Sequence, residues 1–321
     1  MLDVRVRSIV NEAIGVNCFE LVDPHGRELP MFEAGAHIDV VIPGNFVRQY
    51  SLCNDPRDRF RYVIGVLREE NGRGGSMAMH NGVRAGDFIT ISEPRNNFSL
   101  IEGAGRYLLI AGGIGVTPMM AMLEKLKSTD ANFTMHYCAR SPDRMAFKDR
   151  LTELVQKGRV VYHYDGGDPS KGLRFVDVIG NRDGSTLLYY CGPPGLMKAI
   201  AAETANWPAG TVHCEYFTPP PVLKSRPEGA GEGIPGDFQV KIASSGAVYA
   251  VPSGKSIVDV LRGAGIECNT SCEAGLCGTC RTRYLEGNPE HHDFVLNEAE
   301  RQEYVMICCA RSISEVLVLD L

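Results

Sequence analysis

Four cysteines near the end of the chain constrain the fold more than any other feature. Cys272, Cys277 and Cys280 follow a C-x4-C-x2-C spacing, and Cys308 stands at a distance after them. Thiolates at this spacing hold a [2Fe–2S] cluster, because soft sulfur ligands stabilise iron–sulfide cores. The intervening residues are mostly small, so the loop can wrap closely around such a group. The pattern predicts a one-electron centre with these four cysteines as its ligands.

Two other uses of the cysteines fit less well. A zinc site usually pairs two C-x2-C knuckles or mixes Cys with His, whereas here the first spacing is C-x4-C and the fourth cysteine is isolated. A disulfide framework suits a short secreted chain, but this chain has 321 residues and no apolar signal segment follows Met1. Six of the eleven cysteines lie between Cys268 and Cys309, which is typical of a metal centre in a reducing cytoplasm.

The composition narrows the classes of function. The length of 321 residues predicts two or three domains, and 44% hydrophobic with 22% charged residues is typical of a soluble protein with real hydrophobic cores. The net charge of −6 argues against general nucleic-acid binding, which needs a concentrated basic face. No run of eighteen apolar residues occurs, so we expect no membrane span. We expect a cytoplasmic protein, and a monomer would suit a mobile electron carrier.

A segment rich in proline and glycine divides the chain. Residues 218–236 contain five prolines and four glycines, a composition typical of a linker. The predicted cluster domain follows at 237–321. A softer boundary near residue 102 separates a first domain, 1–102, from a second, 103–217, because the pattern of apolar residues changes there.

The two patterns predict different folds. Short apolar runs bounded by turn residues predict an antiparallel β-barrel in the first domain, with strands Ala36–Ile42, Phe46–Leu52, Phe60–Leu67 and Phe88–Ser92. The second domain alternates strands with helices, which predicts a parallel α/β sheet. Its predicted strands are Tyr107–Ala111, Phe133–Ala139, Arg159–Tyr164, Thr186–Cys191 and Thr211–Tyr216, and its helices are Thr117–Lys127, Ala146–Gln156 and Gly195–Ala205.

Two turns follow strands of the second domain. Gly112–Thr117 reads GGIGVT and precedes a helix, with Thr117 as the expected N-cap and Pro118 at the first helical position. The exposed N–H groups and the helix dipole at such a turn attract a pyrophosphate. Cys191 and Gly192 end a later strand, where ligands bind in open α/β sheets. Cys191 therefore either contacts a nicotinamide or serves as a small buried residue.

A flavin would connect these parts. A pyridine nucleotide delivers two electrons and the cluster accepts one, so a group that splits the pair is required, and a flavin does this. Arg48 and Tyr50 share one face of a predicted strand, where they can hold a phosphate and a flavin ring. Gly72–Ser76 precedes a predicted helix, Met77–Gly82, and resembles a second anion-binding nest. Each motif alone also fits an ordinary strand or loop.

Taken in this order, the motifs resemble the phthalate dioxygenase reductase family, within the ferredoxin–NADP reductase superfamily. The resemblance covers essentially the whole chain. It rests on R-x-Y-S at Arg48–Ser51, NGRGGS at Asn71–Ser76, GGIGVTPM at Gly112–Met119, YCGPPGLM at Tyr190–Met197, EYF at Glu215–Phe217, and SCEAGLCGTC at Ser271–Cys280 with Cys308. It implies a multidomain protein with an antiparallel β-barrel flavin domain, an α/β parallel-sheet NAD domain and an α+β plant-type ferredoxin domain.

The resemblance also implies an activity and a site. Electrons would pass from NADH to FMN, then to the [2Fe–2S] cluster and on to a partner Rieske-type aromatic-ring oxygenase or demethylase. The implied flavin contacts are Arg48, Tyr50, Ser51, Gly74, Gly75 and Ser76, with Val66, Leu67 and Arg68 along the ring or its tail. The implied nucleotide contacts are Gly113, Gly115, Thr117, Cys191 and Gly192. The residues expected at the reacting rings are Ser51, Cys191, Glu215 and Phe217.

Two other functions fit the same motifs. The protein that receives the electrons can be another enzyme, such as a di-iron hydroxylase, or the chain itself can be a redox-sensing iron–sulfur flavoprotein. Arg140, Ser141 and Arg144 follow a strand end and can receive the 2′-phosphate of NADPH, although the resemblance favours NADH.

Two local questions concern the cluster domain. Cys309 follows Cys308, and neighbours in a regular strand point to opposite faces, so only one of them should ligate iron. The resemblance favours Cys308. His291 and His292 have no matching ligand spacing and are interpreted as a solvated turn.

Overall fold

The computed structural model describes residues 1–44, 46–180, 184–218 and 237–321. The chain forms two compact units, Met1–Phe217 and Thr218–Leu321. Apart from Thr218, the predicted linker lies outside the described residues, and the predicted domain boundaries stay predictions. Within the described residues, no helix has the length and apolar character needed to cross a membrane.

The larger unit begins with a six-stranded antiparallel sheet. Its strands are β1 (Leu2–Ala13), β2 (Val16–Val22), β3 (His37–Ile42), β4 (Phe46–Ser51), β5 (Tyr62–Leu67) and β6 (Phe88–Ile91), with helix α1 (Gly75–Gly82) before β6. They lie in the order β4-β3-β6-β1-β2-β5. An antiparallel bridge between Leu52 and Ile64 joins the two edges, which closes the sheet into a barrel. The antiparallel barrel is confirmed, although β1 and β2 are not among the predicted strands.

A five-stranded parallel sheet completes this unit. Its strands are β7 (Arg106–Gly112), β8 (Phe133–Ala139), β9 (Val160–Tyr164), β10 (Thr186–Cys191) and β11 (Val212–Glu215), and its helices are α2 (Val116–Ser128), α3 (Lys148–Gln156), α4 (Phe175–Ile179) and α5 (Pro194–Glu203). The strand order is β11-β10-β7-β8-β9. The predicted strands and helices agree with these bounds to within about two residues, but α4 is not predicted.

The barrel and the parallel sheet share one hydrophobic core. Leu109 of β7 faces that core together with barrel residues such as Phe19 and Ile64. The alternate residues Leu108 and Ile110 face a second core with residues of α4 and α5. Burial on both faces explains the continuous apolar run of β7, as expected for a central parallel strand. The shared core fixes the sheet against the barrel.

The smaller unit is a mixed sheet with one helix. Its elements are β12 (Phe238–Ile242), β13 (Val248–Val251), α6 (Ile257–Gly263), β14 (Arg281–Glu286), β15 (Pro289–Glu290), β16 (Tyr304–Met306), β17 (Arg311–Ser312) and β18 (Val316–Leu319). The larger sheet has the order β13-β12-β18-β14-β16. Helix α6 begins with a capping box between Ser256 and Asp259. The expected α+β fold is confirmed, and the cysteine loop lies between α6 and β14.

Candidate functional site

The turn after β7 lies directly against the turn after β10. A methyl group on Gly115 would come within 2.5 Å of the carbonyl carbon of Cys191, and one on Gly192 would lie 3.1 Å from the Cα atom of Gly112. The two backbones can approach this closely only because glycine has no side chain. The turns thus form one glycine-lined edge at the carboxyl ends of the strands, where dinucleotides bind in such sheets.

The start of α2 differs from the sequence prediction. Gly113–Gly115 forms a 3-10 turn that runs into α2, and Gly115 is the N-cap, so Thr117 is not the cap and Pro118 is not the first helical residue. Thr117 is only 2% exposed, and its hydroxyl donates to the carbonyl oxygen of Ile114 at 2.9 Å. Its methyl group packs where a side chain on Gly65 of β5 would lie. The Thr117 side chain therefore fastens the helix to the barrel.

A hydroxyl and a carboxyl connect the end of the barrel strand β4 to the end of β11. Ser51 Oγ donates to Glu215 Oε2 at 3.4 Å, and Ser51 is buried. Burial raises the pKa of Glu215 to about 8, although the hydrogen bond from Ser51 acts in the opposite direction. The Glu215 carboxyl is accordingly mostly protonated at neutral pH.

Cys191 stands beside this pair. It is opposite Glu215 in the parallel register of β10 and β11, and it is fully buried. Burial raises the pKa of the Cys191 thiol well above its usual value, so the thiol is neutral. A neutral thiol, a hydroxyl and a protonated carboxyl can orient a bound ring without adding net charge to the site. The structure thus brings together three of the four residues expected at the reacting rings.

The fourth residue lies at the surface. Phe217 is 42% exposed and ends the larger unit, two residues after Glu215. An exposed aromatic ring at this point can stack on another flat ring.

A second anion-binding turn precedes α1. Gly74 is the N-cap of α1 and has a φ of 80°, in the left-handed region that glycine tolerates. Arg48 lies against this turn: its Nη2 atom donates to the carbonyl oxygen of Arg73 at 2.7 Å, and a methyl group on Gly75 would meet its Cγ atom at 2.6 Å. The guanidinium also stacks on the ring of Phe46, 5.3 Å from its centre. A cation and helix N–H groups together fit a phosphate.

The remaining predicted flavin residues occupy different environments. Ser76 Oγ accepts a hydrogen bond from the backbone N–H of Glu69 at 3.0 Å, which closes the loop before α1. Tyr50 is half-buried, and burial raises the pKa of its hydroxyl. Val66 is buried in the core, so its side chain faces away from the surface. Leu67 is half-buried at the end of β5, and Arg68 is exposed beyond it.

The four predicted iron ligands form two pairs. The thiols of Cys272 and Cys277 hydrogen-bond to each other, and those of Cys280 and Cys308 do the same. In the parts of the chain that the structure describes, no three His, Cys, Asp or Glu side chains are grouped so that they could hold one metal ion. A [2Fe–2S] cluster takes two thiolates on each iron, so two adjacent pairs fit it.

The backbone of the cysteine loop also suits an iron–sulfur cluster. The N–H groups of Ala274 and Leu276 both point at Cys272 Sγ, each at 3.4 Å. Gly275 and Gly278 have φ values of 71° and 75°, which let the loop curl around the thiols. The hydrogen bond from Cys272 lowers the pKa of Cys277 below its usual value. N–H groups aimed at sulfur stabilise the thiolates that iron needs.

The strand argument for choosing between Cys308 and Cys309 is wrong. Strand β16 ends at Met306, and both cysteines lie in the turn that follows, where Cys309 N–H donates to the carbonyl oxygen of Met306 at 3.0 Å. Their thiols hydrogen-bond to each other rather than facing opposite sides. Cys280 pairs with Cys308, which supports the assignment of Cys308 on a different ground.

The turn after β8 carries the residues considered for a 2′-phosphate. Arg140 and Arg144 are exposed, but the hydroxyl of Ser141 donates to the carboxylate of Asp143 in the same turn. A carboxylate at this strand end suits the ribose hydroxyls of NAD and opposes an added phosphate.

Comparison with known proteins agrees with this geometry. Residues 109–202 match the family model of an oxidoreductase NAD-binding domain, and residues 240–312 match that of a 2Fe-2S iron-sulfur cluster binding domain. The chain is 48% identical to the tert-butanol monooxygenase / tert-amyl alcohol desaturase reductase subunit of Aquincola tertiaricarbonis, over 100% of this chain and 96% of the relative. It is 44% identical to the phthalate 4,5-dioxygenase oxygenase reductase subunit of Pseudomonas putida, over 96% and 93% of the two chains.

A solved structure extends the likeness to the fold. Phthalate dioxygenase reductase, described as a modular structure for electron transfer from pyridine nucleotides to [2Fe–2S], superposes with a TM-score of 0.74 and 39% identity. The match covers 100% of this chain and 98% of that one.

Proposed function

Because this chain belongs to the phthalate dioxygenase reductase family, we propose that it supplies electrons to a separate Rieske-type non-haem iron oxygenase. It is an NADH-dependent iron–sulfur flavoprotein reductase, and its cofactors are FMN, NADH and one [2Fe–2S] cluster. When bound, FMN would accept the two electrons of NADH as a hydride and would release them one at a time to the [2Fe–2S] cluster. The dioxygenase and demethylase names of several relatives support an aromatic-ring oxygenase or demethylase as the partner, whereas the name of the 48% identical relative points to an oxygenase of a small alcohol.

The chain's own residues bind and orient these groups. Arg48 and the turn Gly74–Ser76 hold the flavin phosphate, while Tyr50 and Ser51 contact the ring, with the backbone of Val66, Leu67 and Arg68 beside it. The glycine-lined edge formed by Gly113, Gly115 and Gly192 takes the nucleotide diphosphate, and Thr117 keeps that edge in place. Cys191 and Glu215 orient the nicotinamide, and Phe217 covers the flavin until nicotinamide enters. Cys272, Cys277, Cys280 and Cys308 ligate the cluster.

One observation carries this proposal more than any other. The hydrogen bond from Ser51 to Glu215 joins the end of a barrel strand to the end of a sheet strand, at 3.4 Å. A flavin held by the barrel and a nicotinamide held by the sheet would then meet at this pair. Catalysis here is positioning, which geometry alone can supply.

Replacing Ser51 tests the proposal at this point. We expect Ser51→Ala to lower kcat for NADH-dependent ferricyanide reduction by about 10- to 100-fold, as when one positioned hydrogen bond is lost. The flavin content should stay near that of the parent protein. Ser8→Ala, on β1, is the matched control and should leave kcat unchanged. Unaltered kcat in Ser51→Ala would remove the pair from the site.

The identity of the client needs a partner assay. The purified reductase should support product formation by a Rieske-type oxygenase with NADH as the electron source. Turnover with a di-iron hydroxylase but with no Rieske-type oxygenase would reassign the client. Full cofactor content with negligible NADH oxidation would favour a redox sensor instead.

We also propose that the protein works as a cytoplasmic monomer. Six of the eleven cysteines are concentrated between Cys268 and Cys309, as expected for a metal centre in a reducing compartment. Sedimentation at micromolar concentration tests the monomer, and a dimer that persists on dilution would contradict it.

A further inference from the structure

A buried carboxylate lies in the turn between β15 and β16. The Asp293 side chain has no exposure to solvent. Its Oδ2 atom accepts hydrogen bonds from the backbone N–H groups of Leu296, at 2.8 Å, and Val295, at 3.2 Å. These bonds hold the turn in shape. Burying a carboxylate costs free energy unless it is paired, so its position calls for a reason.

The charge of Asp293 is only partly compensated. The guanidinium of Arg301 lies 3.8 Å from Oδ2 and donates to the Asp293 carbonyl oxygen at 3.1 Å. The other oxygen, Oδ1, has no hydrogen-bond partner within the described residues and lies 3.5 Å from His291 Nδ1. His291 has a side chain only 14% exposed, so the interpretation of His291 as part of a solvated turn is wrong. Sequence spacing could not reveal that His291, Asp293 and Arg301 lie together, because these three residues match no ligand pattern.

The turn that holds Asp293 also clamps the cysteine loop. The backbone N–H of Phe294 donates to the carbonyl oxygen of Gly275 at 3.0 Å. A methyl group on Gly275 would lie 3.1 Å from the Cα atom and 3.4 Å from the Cβ atom of Asp293. Gly275 lies between the two ligands Cys272 and Cys277. The Cα and Cβ atoms of Asp293, which bear this buried carboxylate, thus pack against the segment between the iron ligands Cys272 and Cys277.

We propose that Asp293 is a positioning residue for the [2Fe–2S] site and that its buried charge lowers the reduction potential of the cluster. Reduction adds one electron, and therefore one negative charge, to the bound cluster. A fixed carboxylate in the same poorly solvated region opposes that added charge, whereas Arg301 favours it. The balance of these two charges sets how readily the cluster accepts an electron and how readily it gives the electron to its client.

Two charge-removing substitutions test this inference with opposite expected signs. Asp293→Asn keeps an oxygen that accepts from Val295 and Leu296 but removes the charge. At a fixed applied potential and pH, we expect the ratio of reduced to oxidised cluster to rise about tenfold, which corresponds to about 59 mV for one electron. Arg301→Gln keeps a donor for the Asp293 carbonyl oxygen and should lower the same ratio, by less, because Arg301 is partly exposed.

The measurement is a redox titration of the intact holoprotein, followed by the visible and electron paramagnetic resonance signals of the cluster. Glu290→Gln is the matched control, because Glu290 is close in sequence but its carboxylate is half exposed. The ratio of reduced to oxidised cluster in this variant should stay within about twofold of the parent ratio. A merely structural role would lower the iron content or broaden the signals in both variants without opposite shifts of the potential.

Several results would overturn the inference. An unchanged or lower potential in Asp293→Asn with full iron content contradicts it. If Asp293→Asn fails to retain the cluster, Arg301→Gln decides, and a potential equal to or above that of the parent contradicts the inference. The inference rests on the proposed function only through the bound cluster. A protein purified from cells without any cluster would defeat that function, whereas a cluster indifferent to Asp293 and Arg301 would defeat this inference alone.

Discussion

At the scale of single residues, protonation decides how the Ser51–Glu215 pair behaves. The pKa of the half-buried Glu215 carboxyl is raised from its ordinary value of 4.5 to about 8, so the folded chain keeps a proton that an unfolded chain would release. The folded state thus prefers the protonated form. As the pH rises from about 4.5 to about 8, the unfolded state gains the advantage of ionising and the fold loses stability, with no further loss above that range.

The substitution Glu215→Gln should remove this dependence. Glutamine is neutral at every pH and similar in shape, so its side chain has no charge to desolvate. We expect the melting temperature of Glu215→Gln to rise relative to that of the parent protein between pH 5 and pH 8, and the difference to level off above pH 8. Differential scanning fluorimetry across this range checks the prediction. A constant difference between the two proteins would show that Glu215 is ionised throughout.

The adjacent cysteines give a second prediction at this scale. Cys308→Ser should lose the cluster or strongly perturb it, because Cys280 would have no thiolate partner. Cys309→Ser should keep the cluster, and the two variants are matched because their positions are neighbours in one turn. Iron content and the visible spectrum measure the outcome. A spectrum of parent type in Cys308→Ser would transfer the fourth ligand to another residue.

The cysteines also show which features of the site can be predicted from the sequence. The spacing of Cys272, Cys277 and Cys280 within one short loop is enough to predict that their thiols are close. In the structure Cys272 pairs with Cys277, whereas Cys280 pairs with the distant Cys308. The relation between Cys308 and Cys309 depends on where β16 ends, which spacing does not determine. The same is true of Thr117, whose side chain caps nothing because a 3-10 turn precedes α2.

At the scale of elements, the strands with clear apolar runs were predictable and the longest strand was not. A buried strand such as β7 can be predicted from its sequence, because its residues form a continuous apolar run. Strand β1 alternates apolar and charged residues at Val4–Arg7, a signal that could have revealed it. Its pairing with β2 shifts register twice, near Ser8 and Ala13, and such bulges interrupt a regular pattern.

The closeness of the two nucleotide turns gives a prediction for an element. Gly115→Ala should destabilise the larger unit by about 1–3 kcal/mol, because the new methyl group meets the backbone of Cys191, which has little room to move. It should also weaken NADH binding, since the turn would shift. Gly195→Ala in α5 is the control: its methyl group meets nothing within 4 Å, and alanine favours a helix.

Chemical denaturation and NADH titration measure these two effects. The Gly195→Ala variant should equal or exceed the parent protein in stability. Equal stability of Gly115→Ala and its control would mean that the two turns are not packed as described.

At the scale of the whole molecule, the flavin and nucleotide residues belong to one compact unit and the iron ligands to the other. The larger unit, Met1–Phe217, has its own continuous core and holds every residue assigned to flavin and nucleotide. The smaller unit has a separate core and all four iron ligands. A compact unit with its own core can fold alone.

Truncation should therefore separate two activities. A chain that ends at Gly236 should still reduce ferricyanide with NADH but should not reduce a one-electron protein acceptor such as cytochrome c. The full chain should reduce both acceptors and is the control. Loss of both activities in a truncated chain that binds flavin would contradict this division.

The central claim is that one chain carries electrons from NADH through flavin to iron. An anaerobic titration of the purified protein with NADH, followed by its visible spectrum, tests this most directly. We predict flavin bands over broad iron–sulfur absorbance, both bleached by about one and a half equivalents of NADH, since flavin takes two electrons and the cluster one. Flavin bands that bleach while the iron–sulfur absorbance persists, or a cofactor-loaded protein that NADH leaves unchanged, would contradict the account.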